Sequence, residues 1–381
     1  MIDKTFAEYF AGIGLVRLGL EKAGWRIVYA NDFDPRKHEM YQAYFGDLDY
    51  DQRNIFDVAS SDVPKSTLAT SSFPCVDLSL AGNQSGINGK HSSAFWGFIQ
   101  ILKHQGSDRP PFVMLENVPG WLSSNGGKDF RTTVQEINNL GYVGDIFSID
   151  AIRFTPQSRE RIFLVGMRDK RVINNIGVFQ IRNESLKTKR VENAVKANLD
   201  LKWSFLDVPG LPDKKRIGLG AIVEELPLDD SRWWDRTEVN RHLKMMDVSH
   251  IHRIRSLAKQ NFISYRTFFR RRRNGQQRAE VRNQDTAGCL RTARGGSAIQ
   301  FLIRAGKGRI DMRRMTPREY ARLQGVPDDY PILSNEIQAL TGFGDAVAVP
   351  VISWIGRNIL NPLVGEEPID ISKQLAFDYG R

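Results

Sequence analysis

Cysteine is nearly absent from this chain, with two in 381 residues. Two thiols cannot build a disulfide framework, and no Cys/His cluster has zinc spacing, so no metal is expected and a reducing cytoplasm fits best. No run of about 18 apolar residues occurs, which argues against a membrane span. The first residues, "MIDKTFAEYF", lack the charged-then-apolar pattern of a secretory signal. Acidic residues are scarce in one place only. Between Ser249 and Arg314 there are 17 Lys and Arg against 3 Asp and Glu. The whole chain carries +10, so this segment, at +14, leaves a mildly acidic remainder of −4. A confined excess of this size favours a polyanionic partner over a solvated face.

The first 170 residues alternate short apolar runs with amphipathic stretches. "TFAEYF", "WRIVYAND", "TLATSSF", "PFVMLENV", "YVGDIFSIDA" and "RIFLVGMR" read as strands. "LVRLGLEKAG", "PRKHEMYQAYFG", "AFWGFIQILK" and "FRTTVQEINNLG" read as helices, three of them closed by glycine. This alternation predicts an α/β fold with a mostly parallel sheet and helices on both faces. Residues 171–310 show no sustained periodicity and read as a smaller, irregular, basic domain. In "MTPREYARLQGVPDDY" order returns: Thr316 suits an N-cap, Pro317 the first helical position, and Glu319 completes a capping box. A last helix is expected over "AVAVPVISWIGRNIL".

"FAGIG", Phe10 to Gly14, follows the first strand and opens the first helix, where open α/β sheets dock cofactors. Glycines there let backbone approach a ligand closely. Asp32 ends the second strand about twenty residues on, placed to accept from ribose hydroxyls, with Phe33 beside it to lie against an adenine. These features indicate an adenosine-containing cofactor and leave NAD and S-adenosylmethionine both open.

Three further stretches narrow the choice. "FPCVDLS" places Cys75 straight after a proline, where a strand gives way to a loop. "MLENVPG" places Glu116 at the end of an apolar strand. "TPQSRERIFLVG" puts Gln157, Arg159 and Arg161 before another strand, with the two arginines on one face by period-2 alternation. In a parallel sheet the carboxyl ends of strands line one crevice, so Cys75 and Glu116 are expected to meet there. In order and rough spacing, "FAGIG", "FPCVDLS", "ENV", "QSRERIF", "RRMTPREYARLQGVPD" and "GFGDAVAVPV" resemble the cytosine-C5 DNA methyltransferase family. The resemblance covers residues 5–167 and 311–360. The basic stretch between them stands where that family carries its variable target-recognition domain, and "GCLRTARGGS" resembles its glycine-rich DNA-contacting part.

The resemblance implies a Rossmann-like, S-adenosyl-L-methionine-dependent fold, with a catalytic domain at 1–180 plus 337–381 and a target-recognition domain at 181–336. It implies that Cys75 adds to C6 of a flipped cytosine, that Glu116 engages N3, and that Arg161 with Arg159 holds O2 and nearby backbone. Cofactor contacts fall to Phe10, Ala11, Gly12, Ile13, Gly14, Asp32, Phe33, Asn54, Ile55, Pro74, Asp345 and Ala346. DNA contacts fall to Ser79, Arg270, Arg271, Arg272, Arg273, Arg294, Gly295, Gly296 and Ser297. For the four consecutive arginines, phosphate gripping is favoured over base reading. The partner expected is double-stranded DNA, the chain a monomer, and its context a bacterial modification or defence system with a cognate nuclease. The alternatives are a transfer-RNA cytosine methyltransferase on the same scaffold and a DNA-binding subunit without catalysis.

The chain departs from the family pattern at several positions. Val76 replaces a Gln, Asn54 an Asp, Asp345 an Asn, Glu8 an Asp and Leu15 a Gly. These put cofactor affinity, not the nucleophile, in question. Cys289 has no matched role and reads as packing.

Overall fold

The computed structural model describes residues 2–74, 94–168, 184–213, 217–292, 298–333 and 335–366. Its contacts divide the chain into two units. Unit one comprises Met1–Asp150, Glu160–Pro212 and Val351–Gln374; unit two comprises Ala151–Arg159, Asp213–Pro350 and Leu375–Arg381. These boundaries and those expected from the sequence differ over 151–159, 181–212, 337–350 and 375–381. The amide of Ser148 donates to Leu186 and that of Ser204 to Gly144, which ties the chain after residue 184 to unit one.

Unit one is built on seven strands: β1 Thr5–Tyr9, β2 Arg26–Asn31, β3 Tyr50–Asp51, β4 Leu68–Ser71, β5 Phe112–Asn117, β6 Val143–Asp150 and β7 Glu160–Met167. Their order is β3-β2-β1-β4-β5-β7-β6. All neighbours run parallel except β7, which is antiparallel to both β5 and β6. Every residue of β1, β4 and β5 is buried. Successive side chains point to opposite faces, so both faces of the central sheet are covered. The helices of this unit are α1 Leu15–Glu21, α2 Pro35–Phe45, α3 Ala94–His104, α4 Lys128–Asn139 and α5 Lys189–Lys196.

Two local constraints fix the start of this unit. Gly14 is the N-cap of α1 at φ +78°, and a Cβ there would stand 2.5 Å from the Phe45 ring. Only glycine meets both conditions. Asp34 caps α2 by accepting from the Arg36 amide, with Pro35 in the first turn. The last helix begins at Val349 as α-helix, becomes a π-turn over Gly356–Leu360, and ends in a short turn at Asn361–Leu363. It docks on unit one through Trp25, whose Nε1 donates to Asn361 Oδ1 at 2.8 Å. Of the described residues, one helical stretch, Glu336–Leu363, is long and apolar enough to cross a membrane, with mean hydropathy 1.4. Because 83% of that window is buried inside the protein, it fits a core helix.

Unit two is more regular than its sequence suggests. It holds a four-stranded antiparallel sheet in the order β11-β10-β8-β9. The strands are β8 Ser264–Arg273, β9 Gln276–Val281, β10 Gln300–Gly306 and β11 Arg309–Arg314. Helices α6 Arg236–Lys244 and α7 Val248–Ala258 contribute Val239, Ile254 and Ala258 to a core shared with Phe268, Phe301, Ile303 and Met312 of the sheet. Asn274 and Gly275 both have positive φ, +49° and +76°, as a type I′ hairpin turn requires.

The helix expected at Thr316 is α8, Pro317–Leu323, with its capping box in place. Glu319 does more than cap. It is fully buried against Arg313, whose Nη1 donates to Oε2 at 2.8 Å and whose Nη2 donates to Oε1. The Glu224 amide donates to the same carboxylate at 3.0 Å, and the Arg313 guanidinium lies over Trp233. Removing one partner of such a pair leaves an uncompensated buried charge, which costs about 3–5 kcal/mol. Arg313→Met should therefore shift the urea midpoint of unit two strongly downward, whereas Arg232→Met, at an exposed pair, should leave it in place. Equal shifts would show that burial does not set the weight of these pairs.

Candidate active site

The loop after β1 is held by backbone and by one carboxylate. The Ala11 amide donates to Asn31 O at 2.9 Å, and the Gly12 amide to Asp32 Oδ2 at 2.9 Å. Asp32 Oδ1 accepts from the Asp34 amide at 3.0 Å. Asp32 thus organises the two turns expected to hold a cofactor, and each oxygen keeps a second lone pair for a ligand. Phe10 takes φ +60°, a strained value for a bulky residue that marks functional turns. A Cβ at Gly12 would make ordinary contact, 3.8 Å from Lys37 Cδ and 4.0 Å from Asp32 Oδ2, so it is the φ of +57° that favours glycine there.

Other cofactor candidates gather at the same edge. Asn31 Nδ2 donates to the carbonyls of Asp51 and Arg53, which draws the turn carrying Asn54 to the end of β2. The Asn54 carboxamide oxygen accepts from the Phe56 amide at 3.1 Å. Ile13 and Ile55 are buried, the latter against Gly97 of α3, where a Cβ would stand 2.6 Å from Ile55 Cγ2. Phe33 is 63% exposed beside buried Asp32. A glycine turn, a buried carboxylate and an exposed aromatic ring fit an adenosine-bearing cofactor.

Glu116 and Arg161 come together in unit one. Glu116, 8% exposed, ends β5, and its Oε1 lies 3.1 Å from Arg161 Nε. Arg161 Nη1 also donates to Glu160 O at 2.8 Å. Next along β5, Asn117 Nδ2 donates to Phe73 O at 3.3 Å, tethering the segment Phe73–Pro74 beside the carboxylate. Cys75 itself, with Val76 and Ser79, lies outside the described residues, as do Arg294, Gly295, Gly296 and Ser297.

Arg159 does something different from Arg161. Strand β7 begins at Glu160, so the alternation expected to align the two arginines starts one residue too late. Arg159 is 2% exposed within unit two. Its Nη1 donates to Leu290 O at 2.8 Å and its Nη2 to Ala346 O at 2.5 Å, with the Cys289 sulfur 3.3 Å away. Gln157 joins the same cluster: it donates to Leu323 O and accepts from the Leu290 amide. Asp345 and Ala346 end α9, Glu336–Asp345, in this unit, and Asp345 accepts from the Thr292 hydroxyl. Gln324 was not singled out from sequence, yet its Nε2 donates to Phe343 O and Ala346 O. A glutamine at the end of a short, mixed-polarity helix gives no local signal for that role.

Of the four arginines, Arg270 lies over the Phe301 ring at 4.9 Å, and burial pushes its pKa down. Arg271 and Arg273 both turn Nε toward Glu280, at 2.9 and 3.7 Å. Arg272 is exposed. Among the described residues, no group of three His, Cys, Asp or Glu is placed to hold a metal.

A family model described as C-5 cytosine-specific DNA methylase matches residues 4–361. The chain belongs to that family. It is an S-adenosyl-L-methionine-dependent cytosine-C5 methyltransferase. The Type II methyltransferase M.HpaII of Haemophilus parainfluenzae is 26% identical over 94% of this chain and 90% of its own. M.SsoII of Shigella sonnei is 29% identical over 93% and 80%. Among solved structures, S. pombe Dnmt2 matches with TM-score 0.61 at 18% identity, covering 95% of this chain and 99% of that one. The Entamoeba histolytica methyltransferase EhMeth matches with TM-score 0.66 at 13% identity, covering 96% and 100%. At such identities the structures show the shared fold.

Glu8, standing where this family usually has Asp, is 2% exposed on β1. Burial pushes its carboxyl up from 4.5 to about 8; the Arg17 charge and amide oppose this, and Glu21 and Asp32 add to it. The folded state therefore holds this proton more tightly than the unfolded one. The contribution to stability is fully present below pH 4.5 and is lost as pH rises to about 8. Glu8→Gln should flatten that fall, measured as urea midpoints across the window; parallel wild-type and variant profiles would refute the assignment.

Proposed function

We propose that this enzyme methylates cytosine C5 at defined sites in duplex DNA, with Cys75 as nucleophile, Glu116 at the pyrimidine N3 and Arg161 at O2. The observation that carries the assignment is the Glu116–Arg161 pair beside the tethered approach to Cys75. C5 of cytosine is a poor nucleophile. Addition of the Cys75 thiolate to C6 makes C5 enamine-like, and Glu116 stabilises the density pushed toward N3. Arg161 orients the Glu116 carboxylate and engages O2. S-adenosyl-L-methionine, when bound, supplies an electrophilic methyl group to C5. Loss of the C5 proton then expels Cys75 and restores the aromatic ring.

The residues assigned to hold the cofactor are Phe10 to Gly14, Asp32, Phe33, Asn54, Ile55 and Pro74, with Asp345 and Ala346. Asn54 offers one lone pair, since its carboxamide oxygen already accepts from Phe56. Arg159 takes a positioning role, because backbone carbonyls engage both its Nη groups. The catalytic chemistry falls to the first domain, whose Ser79 is also assigned to DNA, and the main DNA grip to the basic second, including the Arg294–Ser297 segment. The target base must leave the stack, at a cost of a few kcal/mol that phosphate contacts offset. The names of M.HpaII and M.SsoII support a modification system with a cognate nuclease.

Labelled methyl transfer to duplex DNA and to transfer RNA, run side by side, tests the substrate. Transfer is expected to DNA alone; RNA methylation at equal rate would overturn the reading. Cys75→Ser should abolish turnover and covalent trapping on 5-fluorocytosine DNA while leaving DNA binding intact. Full-speed methylation by that variant would remove the nucleophile from the mechanism. Glu116→Gln should slow single-turnover transfer by about 10²–10⁴-fold.

A further inference from the structure

Strand β8 outlasts its neighbour. Its pairing with β10 ends at Phe269–Gln300, while β8 and β9 go on pairing to Arg273–Gln276. The Ala279 amide donates to Met245 O, which pins the base of this extension. Beyond it three pairs remain: Arg271–Arg278, Arg272–Gln277 and Arg273–Gln276. With the Asn274–Gly275 turn they form a two-stranded ribbon that overhangs the sheet by about 10 Å. Every residue from Arg272 to Arg278 is exposed. A ribbon of this width enters the B-DNA major groove, which is about 12 Å wide.

Its two faces differ. Arg272 and Gln277 share one. The other carries Arg271, Arg273, Gln276 and Arg278, with Glu280 below them as the nearest carboxylate. Arg271 stands directly across from Arg278, an arrangement that is unfavourable until an anionic or electron-rich partner compensates it. Arg271 is also the best held. Its Nε sits 2.9 Å from Glu280 Oε1 at 36% exposure, whereas Arg273 is 3.7 Å away and 64% exposed. Arg278 is turned toward Gln276. With Nε held by Glu280, the Arg271 guanidinium has less entropy to lose when it donates in bidentate fashion to guanine O6 and N7.

We propose that the ribbon at Arg271–Arg278 is the major-groove reading element of this enzyme and that Arg271, oriented by Glu280, reads a guanine of the recognised site. This rests on the reading of the chain as a DNA cytosine methyltransferase. Glu280 is then a positioning residue for Arg271. The other arginines attract the duplex without regard to sequence.

Wild type, Arg271→Lys and Glu280→Gln are expressed in a host free of cytosine methylation, and 5-methylcytosine is mapped by bisulfite sequencing. The wild type should mark one motif containing a guanine. In Arg271→Lys, which keeps the charge but loses the fork, discrimination at that guanine should fall by about tenfold to a hundredfold. Glu280→Gln should relax the same position, with the rest of the motif retained. A phosphate contact predicts the opposite: Lys serves as well as Arg, and both variants keep the wild-type motif, which would overturn the proposal. Absence of 5-methylcytosine from wild-type cells would overturn the methyltransferase reading itself. Methylated but unrelaxed DNA leaves that reading standing and removes Arg271 as reader.

Discussion

The site depends on one strand that runs against the rest of its sheet. In a parallel sheet, strand ends collect at one edge and strand beginnings at the other. Glu116 stands at the end of β5, and Arg161 stands at the beginning of β7. A parallel β7 would hold them a strand length apart. Because β7 is antiparallel to β5, its register pairs Glu116 with Phe163, and Arg161 reaches back two residues to the carboxylate. The reversal requires only a connection of 151–159 from β6, with no crossover helix. The parallel strands β1, β4 and β5 bring the glycine turn, the approach to Cys75 and Glu116 to the same edge.

Two buried glutamates in unit one show how the environment divides their work. Glu116 faces a guanidinium at 3.1 Å, with the two side chains only 10% and 13% exposed. A pair so little hydrated is weak evidence for stability, since desolvation offsets most of the attraction. Its worth is directional: each partner fixes the orientation of the other. Glu8 has Arg17 nearby but is dominated by burial, and its Oε2 has no hydrogen-bond partner among the described residues. One carboxyl is held by a charged partner; the other is held by packing, and its raised pKa makes folding sensitive to pH between 4.5 and about 8.

Much of unit one was legible because its signals are local. Glycine at a positive-φ cap and alternation of strand and helix each act within a few residues. Glu116 and Arg161 were legible through their place at strand ends. Unit two was not, for a physical reason. In β8 the two phenylalanines are adjacent and arginines follow on both faces, so no period of two survives in the sequence. The local signals of unit two were the Thr316–Glu319 capping box and Asn274–Gly275, the dipeptide that favours a type I′ turn. Arg159 illustrates a second limit. Its spacing from Arg161 suggested a shared face, but its partners are carbonyls at 290 and 346, more than a hundred residues away, and no window of sequence contains them.

Charge counting has the same limit. The sequence places a large basic excess between Ser249 and Arg314, but only the fold says which charges remain available. Arg304 and Arg309 share Asp311, Arg313 is buried on Glu319, and Arg270 lies on Phe301. On the overhanging ribbon Arg271 and Arg273 share the single carboxylate of Glu280, and Arg271 and Arg278 oppose each other across the strands. Like charges in that position destabilise the pairing by a few tenths of a kcal/mol to about 1 kcal/mol. The hairpin tolerates this because its I′ turn and the Ala279–Met245 bond hold the register from both ends. The same repulsion is relieved when a duplex presents acceptors to the face, so strain within the unbound ribbon and attraction toward DNA have one origin.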